Sequence, residues 1–267
     1  MTMSIEKFFS LFLDELRQHE AMQDYYKFLA EDGRFYFRRN YFFRRLEFVS
    51  KHIGSNRNTV WDCGCGYGTT AIFLALNGFK VRGTTLEFYF EHIEKRLKYW
   101  SGIGDVKGFT YEYKDIFDES STRYDRIIVQ DTLHHLEPLD KALAILKNKL
   151  AENGKMIAIE ENGRNLFQRT KDFLLRGTKR IKEVHDERLG RTFLLGNENI
   201  RPFDLWKRIL SDQGFVMEDH EFIRLFLPGQ WTEKNWEDLQ ERERAIWRRS
   251  RIAREYLYWG VNFVVSP

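Results

Sequence analysis

Between Thr59 and Ala75 the chain reads TVWDCGCGYGTTAIFLA, an apolar run that ends in an acid and opens into alternating cysteines and glycines. Such residues suit three chemistries: two thiols for a metal, a glycine turn for a phosphate, or a carboxylate for a cation. Cys63 and Cys65 are the only cysteines. A bridge between i and i+2 would be strained, and two thiolates alone do not complete a zinc site. We therefore expect no metal, read both as small loop fillers, and expect a reducing, cytoplasmic setting. A dinucleotide fingerprint needs G-x-G-x-x-G, but Gly64, Gly66 and Gly68 alternate, so the third glycine comes one residue early. No Lys-Ser/Thr pair follows for a phosphate loop. What remains is bare backbone led by Asp62, whose carboxylate repels phosphate and suits an ammonium or sulfonium.

Proton-transfer chemistry has its own candidates. His134 and His135 stand side by side after an apolar run, Glu160 and Glu161 after another, and His185 in the basic stretch beyond. Adjacent histidines point different ways, so at most one reaches a shared substrate. His134 and Glu160 are the catalytic candidates, as a base or as a group orienting an acceptor.

The elements that must position these residues follow from periodicity. Apolar side chains recur at helical spacing over 4–30 (Ile5, Phe8, Phe9, Phe12, Leu13, Leu16), and RFYFRRNYFFRRLEFVSKH at 34–52 reads as a second helix. Together they predict an N-terminal helical cap over 1–55, with the arginines in water; a membrane-surface face on 34–52 is the other reading. From Thr59 short strands alternate with helices: strands at 59–62, 80–86, 109–114, 124–130 and 155–160, helices at 69–76, 88–100 and 139–150. That rhythm predicts a parallel sheet with helices on both faces, making up most of a second region over 56–267. Residues 163–200 break it, basic and without a clear strand, and read as a lid. A helix stopped by Gly214, a strand at 215–226, a long charged helix over 231–255 with Asp238–Arg242 and Arg251–Glu255 pairs, and a terminal strand complete the chain. The helical insertion spans about 229–255.

The 267 residues allow one substantial domain with a cap, and no run of 18 apolar residues or cleavable leader pattern stands out. A net charge of +3 is too small to argue for nucleic acid, and none is expected as a partner. Aromatics, at 16%, suit a core or a pocket for a flat or greasy substrate.

VWDCGCGYGTT resembles motif I of the class I S-adenosylmethionine-dependent methyltransferases, an apolar strand followed by D/E-x-G-x-G-x-G. YKDIFD, YDRIIVQDTLHHLEP and LAENGKMIAIEEN resemble that family's later motifs, in order, over about 60–226. The resemblance implies a doubly wound, mostly parallel seven-stranded Rossmann-like α/β sheet. It implies S-adenosylmethionine as donor, S-adenosylhomocysteine as product, and transfer to an oxygen or nitrogen of a small aromatic, lipid-like or anionic acceptor. Carried over by position, the cofactor residues are Asp62, Cys63, Gly64, Cys65, Gly66 and Gly68 in the loop, Asp115 and Ile116 beside adenine, and Gln130 and Asp131 under the methionine moiety. The ribose acid is missing. Thr85 stands at its place, with Glu87 two residues on as the other candidate. An anionic acceptor would suit Arg164, Arg169, Arg176, Lys179, Arg180 and Lys182 of the lid. RNA or protein methylation, carbon transfer of the cyclopropane-synthase type, and a non-catalytic cofactor-binding role stay open, as do oligomeric state and peripheral membrane contact.

Overall fold

A computed structural model describes residues 2–86, 89–118 and 121–267. Three helices come first: α1 (Ile5–Leu16), α2 (Glu20–Tyr26) and α3 (Phe35–His52). The single apolar stretch expected over 4–30 is thus two helices. In α1, Phe8, Phe9, Phe12 and Leu16 fall on one buried face, and the Ser4 hydroxyl caps the start by accepting from Lys7 N at 3.2 Å.

The alternating region follows as β1 (Thr59–Cys63), α4 (Thr69–Leu76), β2 (Lys80–Thr85), α5 (Phe90–Ser101), β3 (Phe109–Tyr113), β4 (Tyr124–Gln130), α6 (Leu139–Asn148) and β5 (Leu150–Glu161). Next come α7 (Leu166–Arg176), β6 (Ile181–Asp186), β7 (Arg191–Gly196), α8 (Phe203–Asp212) and β8 (Val216–Ile223). The chain ends with α9 (Trp236–Arg249), α10 (Arg251–Tyr256) and β9 (Gly260–Ser266). Seven strands form one sheet in the order β3-β2-β1-β4-β5-β9-β8. The first five are parallel, and β9 runs antiparallel to both β5 and β8. This is the doubly wound, Rossmann-like α/β fold. The strand order reverses between β1 and β4, and an open sheet of this kind leaves a crevice for ligand at that switch point.

Two further expectations are corrected. Residues 163–200 do contain strands: β6 and β7 pair as an antiparallel hairpin preceded by α7. They were not legible because β6, IKEVHD, is mostly exposed and carries no apolar alternation. The charged helix at 231–255 is two, broken at Ser250, whose extended backbone lets its hydroxyl cap α10 through Ala253 N at 3.2 Å. Both expected pairs form, Asp238–Arg242 at 3.7 Å and Arg251–Glu255 at 2.7 Å.

Helix α3 turns its aromatic side inward, burying Phe42, Phe43, Phe48 and Val49. Its cations meet acids: Arg44 reaches Glu221 at 2.5 Å and Lys51 reaches Asp219 at 2.7 Å. The start of the helix, Phe35 to Arg39, is half-buried. The helical cap shares one core with the sheet, where Phe8 packs on Phe73 and Trp100 with ring centroids 5.2 and 4.8 Å apart.

A buried ion pair joins cap and sheet. Glu15 of α1 and Arg96 of α5, both fully buried, make a two-pronged contact at 2.8 and 2.7 Å, and Trp100 Nε1 donates to Glu15 at 2.9 Å. Arg96 also donates to Tyr67 O at 2.6 Å and Thr69 Oγ1 at 2.7 Å, so the pair holds the end of the glycine loop. Removing one member strands the other charge out of water. We expect Glu15→Ala to lower unfolding free energy by about 3–5 kcal/mol in urea melts, against less than about 1 kcal/mol for Asp14→Ala, whose partner Arg17 is exposed.

Candidate active site

The turn after β1 lies at the switch point. Gly64, Gly66 and Gly68 all have positive φ (77°, 51° and 73°), which lets the loop curl back and start α4 at once. Their surroundings differ. A Cβ on Gly64 would collide with the Thr132 side chain, and one on Gly68 would meet Phe109 at 2.7 Å, so both are packed against protein. Gly66 has nothing within 4 Å of a built Cβ and faces a cavity.

That cavity is about 410 Å³. Cys63, Gly64, Cys65 and Gly66 line one side, Thr85, Asp115 and Ile116 the end over β2 and β3, and Gln130, Asp131 and His134 the side after β4. Ten of the expected site residues are thereby brought together. Three are not. Gly68 lies behind the loop, and Glu160 stands behind His134. Asp62 is buried beneath the rim, with both carboxylate oxygens lacking a hydrogen-bond partner among the described residues. Glu87 lies outside the described residues. Burial raises the Asp62 pKa to about 7, against the pull of Arg45. A desolvated carboxylate beside a backbone cradle is the setting a cationic ligand would relieve, so the loop fits a sulfonium-bearing amino acid.

Thr85 is buried, its hydroxyl donating to Leu86 O at 3.3 Å. Asp115 has an ion pair with Arg191 of β7 at 3.0 Å, and its other oxygen accepts from Phe117 N at 3.3 Å. Asp131 has a left-handed backbone (φ 48°) and accepts from Tyr41 Oη at 2.7 and 2.8 Å and from Arg45 at 3.3 Å. Arg45 also reaches Gln130 Oε1 at 3.3 Å, while Gln130 Nε2 donates to Thr70 Oγ1 at 2.8 Å.

Sequence reasoning missed Tyr25, Tyr26, Tyr41 and Arg45, which the helical cap contributes to the wall. Their spacing on α2 and α3 marks them only as helix residues, and nothing local says which strand tip they meet. Phe193 and Leu195 of β7 roof the cavity, with the hairpin tied down by Tyr113 Oη to Asp186 at 2.5 Å and Arg188 to Glu91 at 2.6 Å. None of Arg164, Arg169, Arg176, Lys179, Arg180 and Lys182 lines it; Arg164 pairs instead with Glu255 and Asp204. His185 is on the exposed side of β6, 3.2 Å from Thr192 Oγ1.

His134 is buried, and its Nδ1 lies 2.6 Å from Glu160 Oε2. The other Glu160 oxygen accepts from Leu133 N at 2.8 Å and Thr132 N at 3.2 Å, so Glu160 is spent on holding the turn and orienting the ring. Glu161, not Glu160, lines the cavity. The side chains of adjacent strand residues point to opposite faces, and Glu161 takes the open one. Burial lowers the His134 pKa, but Glu160, by charge and hydrogen bond, with Asp131 and Glu198, outweighs it and raises the value to about 9. His135 is lowered by burial and by His134, and its Nδ1 donates to Gly196 O at 2.8 Å. Burial raises Glu161 to about 7 against the nearby Arg224.

Residues 34–219, more than half of the chain, match the family model described as "Methyltransferase domain". The chain belongs to this methyltransferase family. No curated protein matches it in sequence. Among solved structures, the methyltransferase is similar to the magnesium protoporphyrin IX methyltransferase of Synechocystis PCC 6803 with bound S-adenosylhomocysteine (TM-score 0.56, 13% identity, 96% of this chain and 97% of that one). It is also similar to the geranyl diphosphate C-methyltransferase of Streptomyces coelicolor (0.55, 13%, 84% and 79%). A third is the O-methyltransferase of a polyketide multienzyme from Brevibacillus brevis (0.52, 16%, 84% and 71%). At these identities the likeness is one of fold. The methyltransferase uses S-adenosylmethionine as its cofactor, in keeping with the cradle under Gly66. Gly66→Ala puts a methyl group into the cavity at a φ that L residues disfavour, whereas Gly64→Ala strikes Thr132. We expect Gly66→Ala to weaken cofactor binding about tenfold or more by calorimetry at a cost of about 1–2 kcal/mol in stability, and Gly64→Ala to unfold at clearly lower denaturant.

Proposed function

We propose that the methyltransferase transfers a methyl group to an oxygen or nitrogen of a small acceptor with an apolar face, and that His134 takes the acceptor's proton. The observation that carries this reading is the His134–Glu160 pair on the wall of the cavity that the glycine loop borders. Glu160 holds Nδ1–H, which fixes the tautomer and turns Nε2 away from it as the proton-accepting atom. The cofactor, when bound, supplies an activated methyl group; the chain's work is to align the acceptor, exclude water and remove a proton.

The loop backbone from Cys63 to Gly66 and the buried Asp62 carboxylate would hold the amino acid part of the cofactor. Arg45, beside Gln130 and Asp131, would meet its carboxylate. Thr85 would meet the ribose, Asp115 and Ile116 the adenine, with Asp115 shared between that ring and Arg191. The acceptor would lie under Phe193, Leu195 and Leu136, toward Glu161. These three side chains give the acceptor an apolar roof, so an apolar or aromatic acceptor fits.

The active form of a base is the unprotonated one, so kcat/KM should rise with pH and level off above about 9. Glu160→Gln removes the carboxylate that favours the imidazolium, and the limb should move to lower pH. His134→Ala should lower kcat about 10²–10⁴-fold while cofactor affinity by calorimetry stays within about twofold; an unchanged kcat would remove His134 from the reaction. A second outcome is fixed by the same ring. One donor atom from each of His134, His135 and Glu198 lies within 4.8 Å of the others, yet a histidine base requires no ion, so prolonged chelation should leave the rate unchanged. A rate lost to chelator and restored by a divalent cation would make those three residues ligands instead.

A further inference from the structure

Helix α7 is folded with its polar side inward. Asn165, Gln168 and Asp172 are buried: Asn165 Oδ1 caps Gln168 N at 2.9 Å, its Nδ2 donates to Leu257 O at 2.8 Å, and Gln168 Nε2 donates to Asp172 at 2.9 Å. The apolar side faces out. Leu166, Phe167, Phe173 and Leu174 are 52%, 55%, 61% and 78% exposed. At 100° per residue, Leu166, Thr170, Phe173 and Leu174 share one outward arc, with Arg169 on one border and Lys171 on the other. A helix on the surface of a globular protein has the opposite arrangement, as α1 does here.

The chain past α7 continues the pattern. Lys179, Arg180 and Lys182 are exposed, and Ile181 between them is 41% exposed. Beside the helix lies a second cavity of about 170 Å³, walled by Arg169, Arg176, Arg180, Phe173 and Asp172. Three arginines share that wall with one acid, and Arg176 Nε is buried without a hydrogen-bond partner among the described residues. Burial raises the Asp172 pKa.

We propose that α7 is a membrane-docking helix, with Leu166, Phe173 and Leu174 entering the acyl boundary of an anionic bilayer and Arg169, Arg176 and Arg180 receiving a lipid phosphate. The charge pattern selects this occupant. An apolar arc bordered by cations, with a phosphate-sized basic recess at its edge, matches a negatively charged lipid surface. A second copy docked on the same face about a two-fold axis would bring these cations against one another. The inference is independent of which acceptor the active site takes.

Vesicle flotation tests it with the full chain at low and physiological salt. The protein should float with vesicles of equal parts phosphatidylglycerol and phosphatidylcholine, and stay behind with phosphatidylcholine alone. Phe173→Glu with Leu174→Glu should cut partitioning at least about tenfold. Arg176→Gln with Arg180→Gln should cut it about fivefold per charge removed. Phe173, Leu174, Arg176 and Arg180 all lie outside the wall of the first cavity, so cofactor binding by calorimetry should be unchanged, which separates this proposal from the methyl-transfer reading. The proposal is overturned if the native chain does not float on anionic vesicles at low salt, or if the Phe173/Leu174 variant floats as well as the native chain. Binding of inorganic phosphate without flotation, or a dimer abolished by Leu174→Glu without flotation, would equally overturn it.

Discussion

The contact between Glu15 and Arg96 governs how the rest of the molecule is arranged. Two opposite charges with no access to water are stable only if every donor and acceptor around them is satisfied. Trp100, Tyr67 and Thr69 meet that demand. Because Tyr67 and Thr69 belong to the glycine loop and the start of α4, the same network that seats the helical cap sets the path of the loop. Tyr26 extends it, its hydroxyl 2.6 Å from Thr69 Oγ1. The cap is therefore part of the active site's frame rather than an attachment to it.

A second constraint runs through the strand tips. Asp62, Gln130, Asp131, Glu160 and Glu161 end parallel neighbours of one sheet, and crowding so many acceptors demands positive partners. Arg45 meets Gln130 and Asp131 from the cap, Arg224 lies 3.8 Å from Glu161, and His134 meets Glu160. Asp62 stays unmatched. In the proposed reaction the unmatched carboxylate would lie beneath the donor's side of the cavity and the oriented imidazole on the acceptor's side, the separation that an in-line transfer requires.

The two faces of the 163–200 segment divide its work. Phe193 and Leu195 look into the cavity, while Leu194, 40% exposed on the same strand, looks out. Alternation along a strand produces this division without further design. The helix before it buries its amides and leaves its leucines and phenylalanines outside, and no core-forming pressure accounts for that pattern. Arg169 and Arg176 on that helix were read from the sequence as suiting an anionic acceptor, and they line a different recess.

Local pattern sufficed where chemistry and geometry lie within a few residues of each other. The spacing of Gly64, Gly66 and Gly68 after an apolar strand fixed the loop, its place before a helix and the kind of ligand it takes, because positive φ and strand-to-helix turns are local properties of the chain. The alternation of strands and helices likewise foretold the parallel sheet. Tertiary structure alone decided which groups share the cavity. Tyr41 and Arg45 lie 90 and 86 residues from Asp131 and meet it only because α3 packs across the sheet edge. The choice between Glu160 and Glu161, and the pairing of His134, depended on a strand's facing, which flips with each residue and is set by what covers the sheet. The sequence thus determined the glycine loop through short-range geometry, while long-range packing determined which side chains share the cavity with it, where no local rule says which distant groups will meet.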